Sequence, residues 1–448
     1  METAHKIPSV RHDQADIFTT SPDRIDPDKN VIATYYVDVV EPLTIDEAGV
    51  TIAAEQSIGT WTDVVTANQW IVDNLAAKVF EWRYEDGKHS GILKVAYPTL
   101  LIDYETGGFP NLLAILAGNF MGFTPIRSSK LLDVQLPKEV VRSFSGPKFG
   151  IEGLRAFLGT TQDRRPHLGT TAKPKVGLTA DEVAEAFAEA SLGGIDTCKD
   201  DETMLNQKFS PLLERVSKVT EALDRVKSQT GKQVIYFPQV TTETHKIREL
   251  ADKLISHGAK GLMVNFMAAG FSALRALSDD QSVRVPLHAH RAMHAAITRN
   301  PRHGISIKVI SLLARLAGAD LLHVGTALGK LGGKEKFTEI PDIVAAIKGP
   351  LEHVKPTFPV ASGGLHPGIL PQNVALIGRD VQLQLGGGIH GHPAGTRAGA
   401  LAGRQAIEAI IRNISLEEYA ETHAELKVAL EHWGEQYTKA DVFTALPD

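Results

Sequence analysis

The chain has 448 residues, of which 43% are apolar and 22% are charged, and its formal net charge is -6. A chain of this size can bury a large core and is expected to form two domains, or one large domain with an appendage. Its negative charge provides no basic surface for nucleic acid, and no run of about 18 apolar residues predicts a membrane span. One cysteine, Cys198, excludes an internal disulfide, so we expect a cytoplasmic protein without a secretory signal.

The N-terminal part is predicted to be a small α+β domain. After an extension at 1–29, the apolar pattern at 30–148 indicates antiparallel strands, and Asp86-Gly87 is typical of a hairpin turn. Strands are predicted at 31–40 and 77–97, and helices at 44–55 and 110–121.

From 149 to 448, short apolar runs alternate with helical patterns, which predicts a (β/α)8 barrel followed by C-terminal helices. The strands are placed at about 167–171, 194–198, 233–237, 260–265, 285–289, 319–323, 357–361 and 381–385. The first helix of the barrel is bounded by a capping box, Thr179 to Glu182, and by Gly193-Gly194. In the tail, helical patterns cover 406–411 and 416–433.

The second barrel strand ends in Lys199, followed by Asp201 and Glu202. A barrel carries its chemistry at such strand ends, and carboxylates there suit a hard divalent cation such as Mg²⁺. Lysine becomes an anionic oxygen ligand only if CO2 converts it to a carbamate. Alternation along the strand turns Cys198 and Asp200 away, so both are interpreted as structural. The alternative is a solvated charged loop.

Lysines also follow the first strand, which ends at Thr171. Lys173 and Lys175 are two residues apart and point the same way, and either can act as a base if desolvation or a nearby cation lowers its pKa. In most proteins a Lys-Pro-Lys sequence is simply a surface feature.

Four further strand ends carry polar or glycine-rich residues. His290 can move protons, Arg291 can bind phosphate, and His323 precedes a glycine-framed loop with Lys330. The last two strands end in Ser362-Gly363-Gly364 and Gly386-Gly387-Gly388, whose amides can bind phosphate. A His-x-His pair is often structural or a zinc site, and glycine triplets often mark turns. Six such strand ends together favour an active site.

With these motifs, the sequence resembles the large, catalytic subunit of ribulose-1,5-bisphosphate carboxylase/oxygenase (RuBisCO) from about residue 30 to 435. The family's metal motif, G-x-D-F-x-K-x-D-E, is present as GIDTCKDDE, with Asp196 also in register. GPKFGIEG, FPVASGGLHPG and GGGIHGHPAGTRAGA are most similar to the archaeal-type form III branch. That branch implies an N-terminal ferredoxin-like domain, a C-terminal TIM barrel and no small subunit.

The resemblance implies a role for each candidate residue. Lys199, as N6-carboxylysine, would bind Mg²⁺ with Asp201 and Glu202. Lys173 would remove the substrate C3 proton, assisted by Lys175 and His290, and Lys330 would stabilise the incoming CO2.

The resemblance also implies two phosphate sites and a shared active site. One phosphate site would comprise Thr60, Trp61, Lys330, Gly364, Gly386 and Gly387, and the other Arg291, His323 and Ser362, with Thr171 as a further substrate ligand. Glu55 and Asn119 match residues that reach the barrel of a partner subunit, which implies a homodimer and allows higher oligomers of dimers.

We consider three functional hypotheses for the sequence. The first is carboxylation and oxygenation of D-ribulose 1,5-bisphosphate. The second is a RuBisCO-like reaction on another phosphorylated keto sugar or keto acid. Examples are the 3-oxo-isoapionate 4-phosphate transcarboxylase/hydrolase of apiose catabolism and methylthioribulose-phosphate isomerase/enolase. Thr197 replaces the motif's bulky residue, and Leu331-Gly332-Gly333 lacks a glutamate that many carboxylases carry, which keeps this reading open. The third, a scaffold with an inactive site, conflicts with the full set of titrating groups.

Overall fold

The structure is a computed structural model, and it describes residues 11–328 and 336–434. The chain divides into two compact units. Unit 1 contains the chain up to Phe144, Met293–Ile310 and Leu351–His353, and unit 2 contains Ser145–Ala292, Ser311–Pro350 and the chain from Val354.

The strands are β1 (Asn30–Val39), β2 (Lys78–Asp86), β3 (Ser90–Pro98), β4 (Ile126–Gln135), β5 (His167–Thr171), β6 (Thr197–Lys199), β7 (Ile235–Phe237), β8 (Leu262–Asn265), β9 (Leu287–His290), β10 (Gly304–Ile305), β11 (Leu321–His323), β12 (Phe358–Ser362) and β13 (Gln382–Gln384).

The helices are α1 (Ala15–Phe18), α2 (Ile45–Glu55), α3 (Gln69–Leu75), α4 (Gly108–Leu116), α5 (Lys138–Arg142), α6 (Gly150–Leu158), α7 (Ala180–Leu192), α8 (Leu212–Thr230), α9 (Ile247–Ser256), α10 (Phe266–Ala269), α11 (Phe271–Asp279), α12 (Ala295–Thr298), α13 (Ile307–Leu316), α14 (Lys336–Lys348), α15 (Leu370–Ile377), α16 (Gly387–His390), α17 (Thr396–Arg412), α18 (Leu416–Ala420) and α19 (Ala424–Trp433). Short 3-10 helices lie at Pro22–Arg24, Thr99–Leu101, Asn119–Gly122, Thr244–Lys246 and Pro367–Ile369.

Unit 1 is built on a mainly antiparallel sheet with the strand order β10-β4-β1-β3-β2. Strand β1 pairs with β3 from Asn30 opposite Pro98 to Asp38 opposite Ser90, and the β2–β3 hairpin turns after Asp86 as predicted. Apolar side chains that alternate along β1, such as Val31, Ala33 and Tyr35, are fully buried. The predicted N-terminal α+β domain is therefore confirmed.

Unit 2 contains the barrel. Within the described residues its eight parallel strands have the order β7-β6-β5-β13-β12-β11-β9-β8, and the two ends of this series, β7 and β8, are joined by a bridge between Gln239 and Met263. Every predicted barrel strand overlaps an observed one, so the predicted (β/α)8 barrel is confirmed.

The barrel has an apolar cluster to which α6 contributes. It contains Ile151, Leu154, Ile235, Phe237, Met263, Leu321, Phe358 and Val360. Polar side chains on the strands are buried as well, among them Thr171, Lys199, His288, His323 and Gln384.

Helix α7 begins and ends where the sequence predicts. Thr179 Oγ1 accepts from the Glu182 amide at 3.3 Å, and the Glu182 carboxylate accepts from the Thr179 amide at 2.7 Å. Gly193 caps the C-terminus, where an added Cβ would lie 2.4 Å from the Arg397 carbonyl oxygen, so glycine is required for the approach of α17. The tail pattern at 416–433 forms two helices, interrupted at 421–423.

None of the helices in the described part of the chain combines the length and apolar composition needed to cross a bilayer.

Candidate active site

Lysines and carboxylates meet at the C-terminal ends of β5 and β6. The two strands pair in register, with Thr171 opposite Lys199. Lys173, just after β5, has its Nζ 3.3 Å from Asp201 Oδ2, and Lys175 Nζ lies 3.7 Å from Asp201 Oδ1. The structure therefore brings the two predicted base candidates to one carboxylate of the predicted metal motif.

Lys199 is buried and its Nζ donates to the carbonyl oxygen of Asp200 at 3.1 Å. Burial lowers the pKa of Lys199 to about 8, although the nearby carboxylates of Glu202 and Asp201 oppose that shift. The neutral amine is the form that attacks CO2, so this lysine is reactive at a pH where an exposed lysine is almost fully protonated.

The carboxylate of Asp201 is held by its own loop. Its Oδ1 accepts from the Thr203 hydroxyl at 2.9 Å and from the Thr203 amide at 3.3 Å. Burial raises the pKa of Asp201, but the positive charge of Lys173 and the bond from Thr203 outweigh burial and lower it. Asp201 is therefore an anionic oxygen donor, as a hard cation requires.

Glu202 lies on the other side of this group. Its Oε2 is 3.6 Å from Nε2 of His290, the last residue of β9, and its carbonyl oxygen accepts from the Gln239 side chain at 2.9 Å. The predicted proton-transfer histidine and the predicted metal carboxylate are thus neighbours.

Asp200 points away from this group, as the alternation along the strand predicted. Its carboxylate accepts from Arg215 Nη2 at 3.0 Å, from the Tyr236 hydroxyl at 2.7 Å and from the backbone N–H of Gln239 at 3.0 Å. Cys198 is fully buried. Both residues are structural, and the Asp200 contacts fix the loop that carries Asp201.

Asp196, the acidic residue at the start of the motif, is also structural. It forms ion pairs of 2.7 Å with Arg165 and with Arg404. These pairs tie the strand to neighbouring elements at the end opposite to Asp201.

The donor set fits a metal ion best if Lys199 is modified. Among the described residues, no group of three or more His, Cys, Asp and Glu side chains is placed to hold a metal ion. Asp201 and Glu202 supply two anionic ligands, and a carbamate on Lys199 would supply a third. The residues present therefore fit Mg²⁺ together with bound CO2.

Arg291 is buried just after β9 and is suited to bind an anion. Its Nη1 is buried without a hydrogen-bond partner among the described residues, and burial lowers its pKa to about 10, against the effect of Glu339. A buried guanidinium with an unused donor is costly, and an anionic ligand would compensate that cost.

His323 and Ser362 form a polar pair on β11 and β12. His323 Nδ1 lies 2.6 Å from Ser362 Oγ, and its Nε2 lies 2.8 Å from His288 Nε2. Burial lowers the pKa of His323 and of His288 well below the ordinary value, so both rings are neutral. Both ring nitrogens of His323 are engaged in these contacts, and the neutral rings add no positive charge to the site.

The loop after β12 favours glycine for its backbone conformation, and the loop after β13 lies against Lys173. Gly364 has a φ of 78°, in the left-handed region. A Cβ on Gly386 would lie 2.9 Å from Lys173 Cε. The predicted phosphate loop therefore lies next to the predicted base. Thr171, at the end of β5, accepts a hydrogen bond from the side chain of Gln384, at the end of β13, at 3.1 Å. Gly387 has open space around it.

The remaining predicted residues lie in unit 1 or outside the described residues. Asn119 Nδ2 donates to Glu55 Oε1 at 3.5 Å, so these two are brought together. The carbonyl oxygen of Thr60 accepts from the His12 amide at 3.0 Å, and Trp61 is 82% exposed. Lys330 lies outside the described residues.

The structure adds two residues that the sequence reading missed. Thr203 orients Asp201. The sequence Asp-x-Thr could have revealed this role, because it is typical of a turn in which the aspartate side chain accepts from the backbone amide two residues later. Gln239, from the loop after β7, supports Glu202 and has no local signal in the sequence.

Comparison with known proteins identifies the family. Residues 150–433 match the ribulose bisphosphate carboxylase large chain catalytic domain, and residues 20–140 match its N-terminal domain. The chain belongs to the RuBisCO large-chain family. A ribulose bisphosphate carboxylase from Methanocaldococcus jannaschii is 41% identical over 410 residues, which cover 88% of this chain and 95% of the relative. The prediction of an enzyme of the carbon–carbon lyase type is confirmed.

Solved RuBisCO structures show the same fold. An octameric ribulose-1,5-bisphosphate carboxylase/oxygenase from Pyrococcus horikoshii superimposes with a TM-score of 0.89 at 37% identity, covering 97% of this chain and 99% of the other. A rubisco-like protein from Alicyclobacillus acidocaldarius gives 0.82 at 34%, covering 91% and 100%. The fold is therefore shared by both branches of the superfamily.

Proposed function

We propose that this enzyme carboxylates, and oxygenates, D-ribulose 1,5-bisphosphate, and that carboxylation yields two molecules of 3-phosphoglycerate. The observation that carries the proposal is the buried Lys199, whose pKa is lowered to about 8, beside Asp201 and Glu202. A structural lysine has no need of such a site, whereas carbamylation requires the neutral amine.

Lys199 as a carbamate, Asp201 and Glu202 would hold Mg²⁺. The ion would polarise the substrate carbonyl and hydroxyl oxygens and so stabilise negative charge on an enediolate. Thr203 keeps the carboxylate of Asp201 oriented for this role, and Gln239 holds the backbone of Glu202.

Lys173 is the proposed base for the C3 proton. In the structure its Nζ is paired with Asp201 at 3.3 Å. A cation bound to Asp201 would replace this pairing and leave the lysine free to act on the substrate. Lys175 and His290 lie beside the same carboxylates and would exchange protons with the intermediate.

The ligands on both sides suit a substrate with two anionic ends. Arg291, His323 and Ser362 form one set, and the glycine loops at Gly364, Gly386 and Gly387 belong to the other, with Thr60, Trp61 and Lys330 as proposed additions. The buried Nη1 of Arg291 supports the first set, since a monophosphate held only at the second would leave it uncompensated.

The proposed assembly is a homodimer with shared active sites. Glu55 and Asn119, which are in contact with each other, would complete the site of a partner subunit. The Pyrococcus relative is an octamer and an archaeal RuBisCO from Hyperthermus butylicus is a dimer, so a dimer alone and an assembly of dimers are both compatible with the proposal.

The test is incorporation of ¹⁴CO2 with ribulose bisphosphate after preincubation with bicarbonate and Mg²⁺. We expect labelled 3-phosphoglycerate, and none after treatment with EDTA. Turnover of a phosphorylated keto acid or of a methylthioribulose phosphate, without incorporation of label, would instead assign the chain to the RuBisCO-like branch.

A further inference from the structure

A partly buried histidine links the glycine loop after β13 to the strand that precedes Lys173. His390 closes the single turn of α16, and its two ring nitrogens each have a partner. Nε2 lies 3.1 Å from Thr170 Oγ1, on β5, and Nδ1 lies 3.1 Å from Thr396 Oγ1, at the start of α17. The ring therefore connects three elements of the barrel.

The partners fix which nitrogen carries the proton. Thr170 Oγ1 donates its proton to the carbonyl oxygen of Leu385 at 2.7 Å, so it must accept from His390 Nε2–H. Nδ1 is then unprotonated and accepts from the Thr396 hydroxyl. Burial, and secondarily the charge of Lys173, lower the pKa of His390 to about 4, so the ring is neutral at physiological pH.

This series of hydrogen bonds ends next to the proposed catalytic lysine, Lys173. Leu385 precedes Gly386, where an added Cβ would lie 2.9 Å from Lys173 Cε. His390 and Lys173 also line the same cavity, of about 360 Å³. A change in the position of the His390 ring would shift the Gly386 loop against Lys173.

We propose that His390 is a positioning residue, which holds the Gly386–Gly387 loop and Lys173 in the arrangement needed for proton abstraction. The inference rests on the proposed function, because it assigns His390 an effect on the proposed base. The residue acts through Thr170 and the Leu385 carbonyl and has no contact with the reacting atoms.

His392, two residues later, shows what a purely structural histidine in this loop looks like. Its Nε2 lies 3.0 Å from the carbonyl oxygen of Glu425, on α19, and its Nδ1 accepts from the amide of Ala394 at 3.1 Å. These contacts lead away from β5. His392→Gln is therefore the control for the loss of a histidine from the same loop.

The decisive variants test the two ring nitrogens of His390 one at a time. The side-chain amide of glutamine reaches the position of Nε2, whereas the shorter side chain of asparagine places its amide at the position of Nδ1. We expect His390→Gln to keep the contact with Thr170 and most of the activity. We expect His390→Asn and Thr170→Val each to lower kcat/KM by about 10- to 100-fold, as for a small misplacement of a catalytic group. Thr170→Ser should retain activity.

Several kinetic results would distinguish a positioning role of His390 from a general loss of protein stability. The double variant His390→Asn/Thr170→Val should be no worse than the worse single variant, since both remove one link. Proton exchange at the substrate's α-carbon should fall in parallel with kcat/KM. Equal activity losses in His390→Asn, His390→Gln and His392→Gln, each following the fall in unfolding temperature, would overturn the proposal.

A measurement without substrate keeps the inference separate from the proposed function. In ¹⁵N-histidine spectra of the whole protein, the signals that disappear in His390→Gln should show an Nε2–H tautomer that persists from pH 8 to pH 5. An Nδ1–H tautomer, or titration near the ordinary pKa, would refute the hydrogen-bond series even if ribulose bisphosphate is not the substrate. Failure of carboxylation alone, with this tautomer present, would count against the proposed function only.

Discussion

The Nζ of Lys173 lies 3.3 Å from Oδ2 of Asp201, so the proposed base and a proposed metal ligand form one ion pair. Neutralising Asp201 would therefore affect the metal site and the base together. This contact makes the dependence on metal the first property to measure.

We expect Asp201→Asn to abolish turnover and α-proton exchange at ordinary Mg²⁺ concentrations, because the amide is a weaker ligand for a hard cation. Chelation of the wild-type enzyme should give the same result, and added Mg²⁺ should restore only the wild type. Thr203→Val, which removes the hydroxyl bond to Asp201, should raise the Mg²⁺ concentration needed for half-activation. Full activity of the wild type in EDTA would refute the metal assignment.

Activation by CO2 should depend on pH through Lys199. Since its pKa is about 8 instead of 10.5, the neutral fraction rises roughly tenfold per pH unit below 8 and levels off above it. At a fixed concentration of dissolved CO2, the rate of activation should follow this curve. A rate that continues to rise beyond pH 9 would indicate an ordinary lysine.

Lys199→Met should abolish activity and leave the fold intact. The substitution replaces a buried amine by an apolar side chain of similar length, so the unfolding temperature should hold or increase. Activity assays combined with thermal unfolding test both parts. Activity that persists in this variant would exclude the carbamate.

Arg291→Ala should weaken the binding of a bisphosphate transition-state mimic by roughly 1.5–3 kcal/mol, the value of a charge-assisted contact. Arg291→Met preserves more of the volume and removes a buried charge whose pKa is lowered to about 10, so its unfolding temperature should not fall. Calorimetric titration of the carbamylated enzyme gives the binding loss. Unchanged binding would show that the second anionic group lies elsewhere.

Two lysine variants should separate the steps of the reaction. Lys173→Ala should stop both α-proton exchange and carboxylation, because the base acts first. Lys330→Ala should preserve exchange and lose carboxylation, as the resemblance implies for a residue that acts on the later intermediate. Exchange followed by NMR in deuterated water, beside ¹⁴CO2 incorporation, distinguishes them. Equal loss of both activities in both variants would contradict this division of roles.

The sequence predicted the barrel because each of its strands is a short apolar run that stops at polar or glycine residues. It also predicted the direction of Asp200, because side chains alternate along a strand. The same alternation brings Lys199 and Asp201 to one side, and the pairing of Thr171 with Lys199 brings Lys173 next to them. These are local rules, which a single sequence contains.

The supporting contacts could not be predicted in this way. Thr170 and His390 are separated by 220 residues, and their contact depends on the closure of the barrel between β5 and β13. Gln239 reaches Glu202 only because the loop after β7 passes over the end of β6. The lowered pKa of Lys199 has the same origin, since burial is produced by the whole barrel.

The junction between β7 and β8 gives the barrel an uneven resistance to heat. In the part of the chain that the structure describes, these strands are joined by one bridge, with bonds from Val240 to Met263 and from Met263 to Pro238, both 2.9 Å. Gln239, at this seam, also supports the backbone of Glu202. Local opening there would release a metal carboxylate while the rest of the barrel stays closed. Thermal inactivation should thus precede unfolding, and CO2 and Mg²⁺, if they bind at the proposed site, should suppress an early, reversible loss of activity.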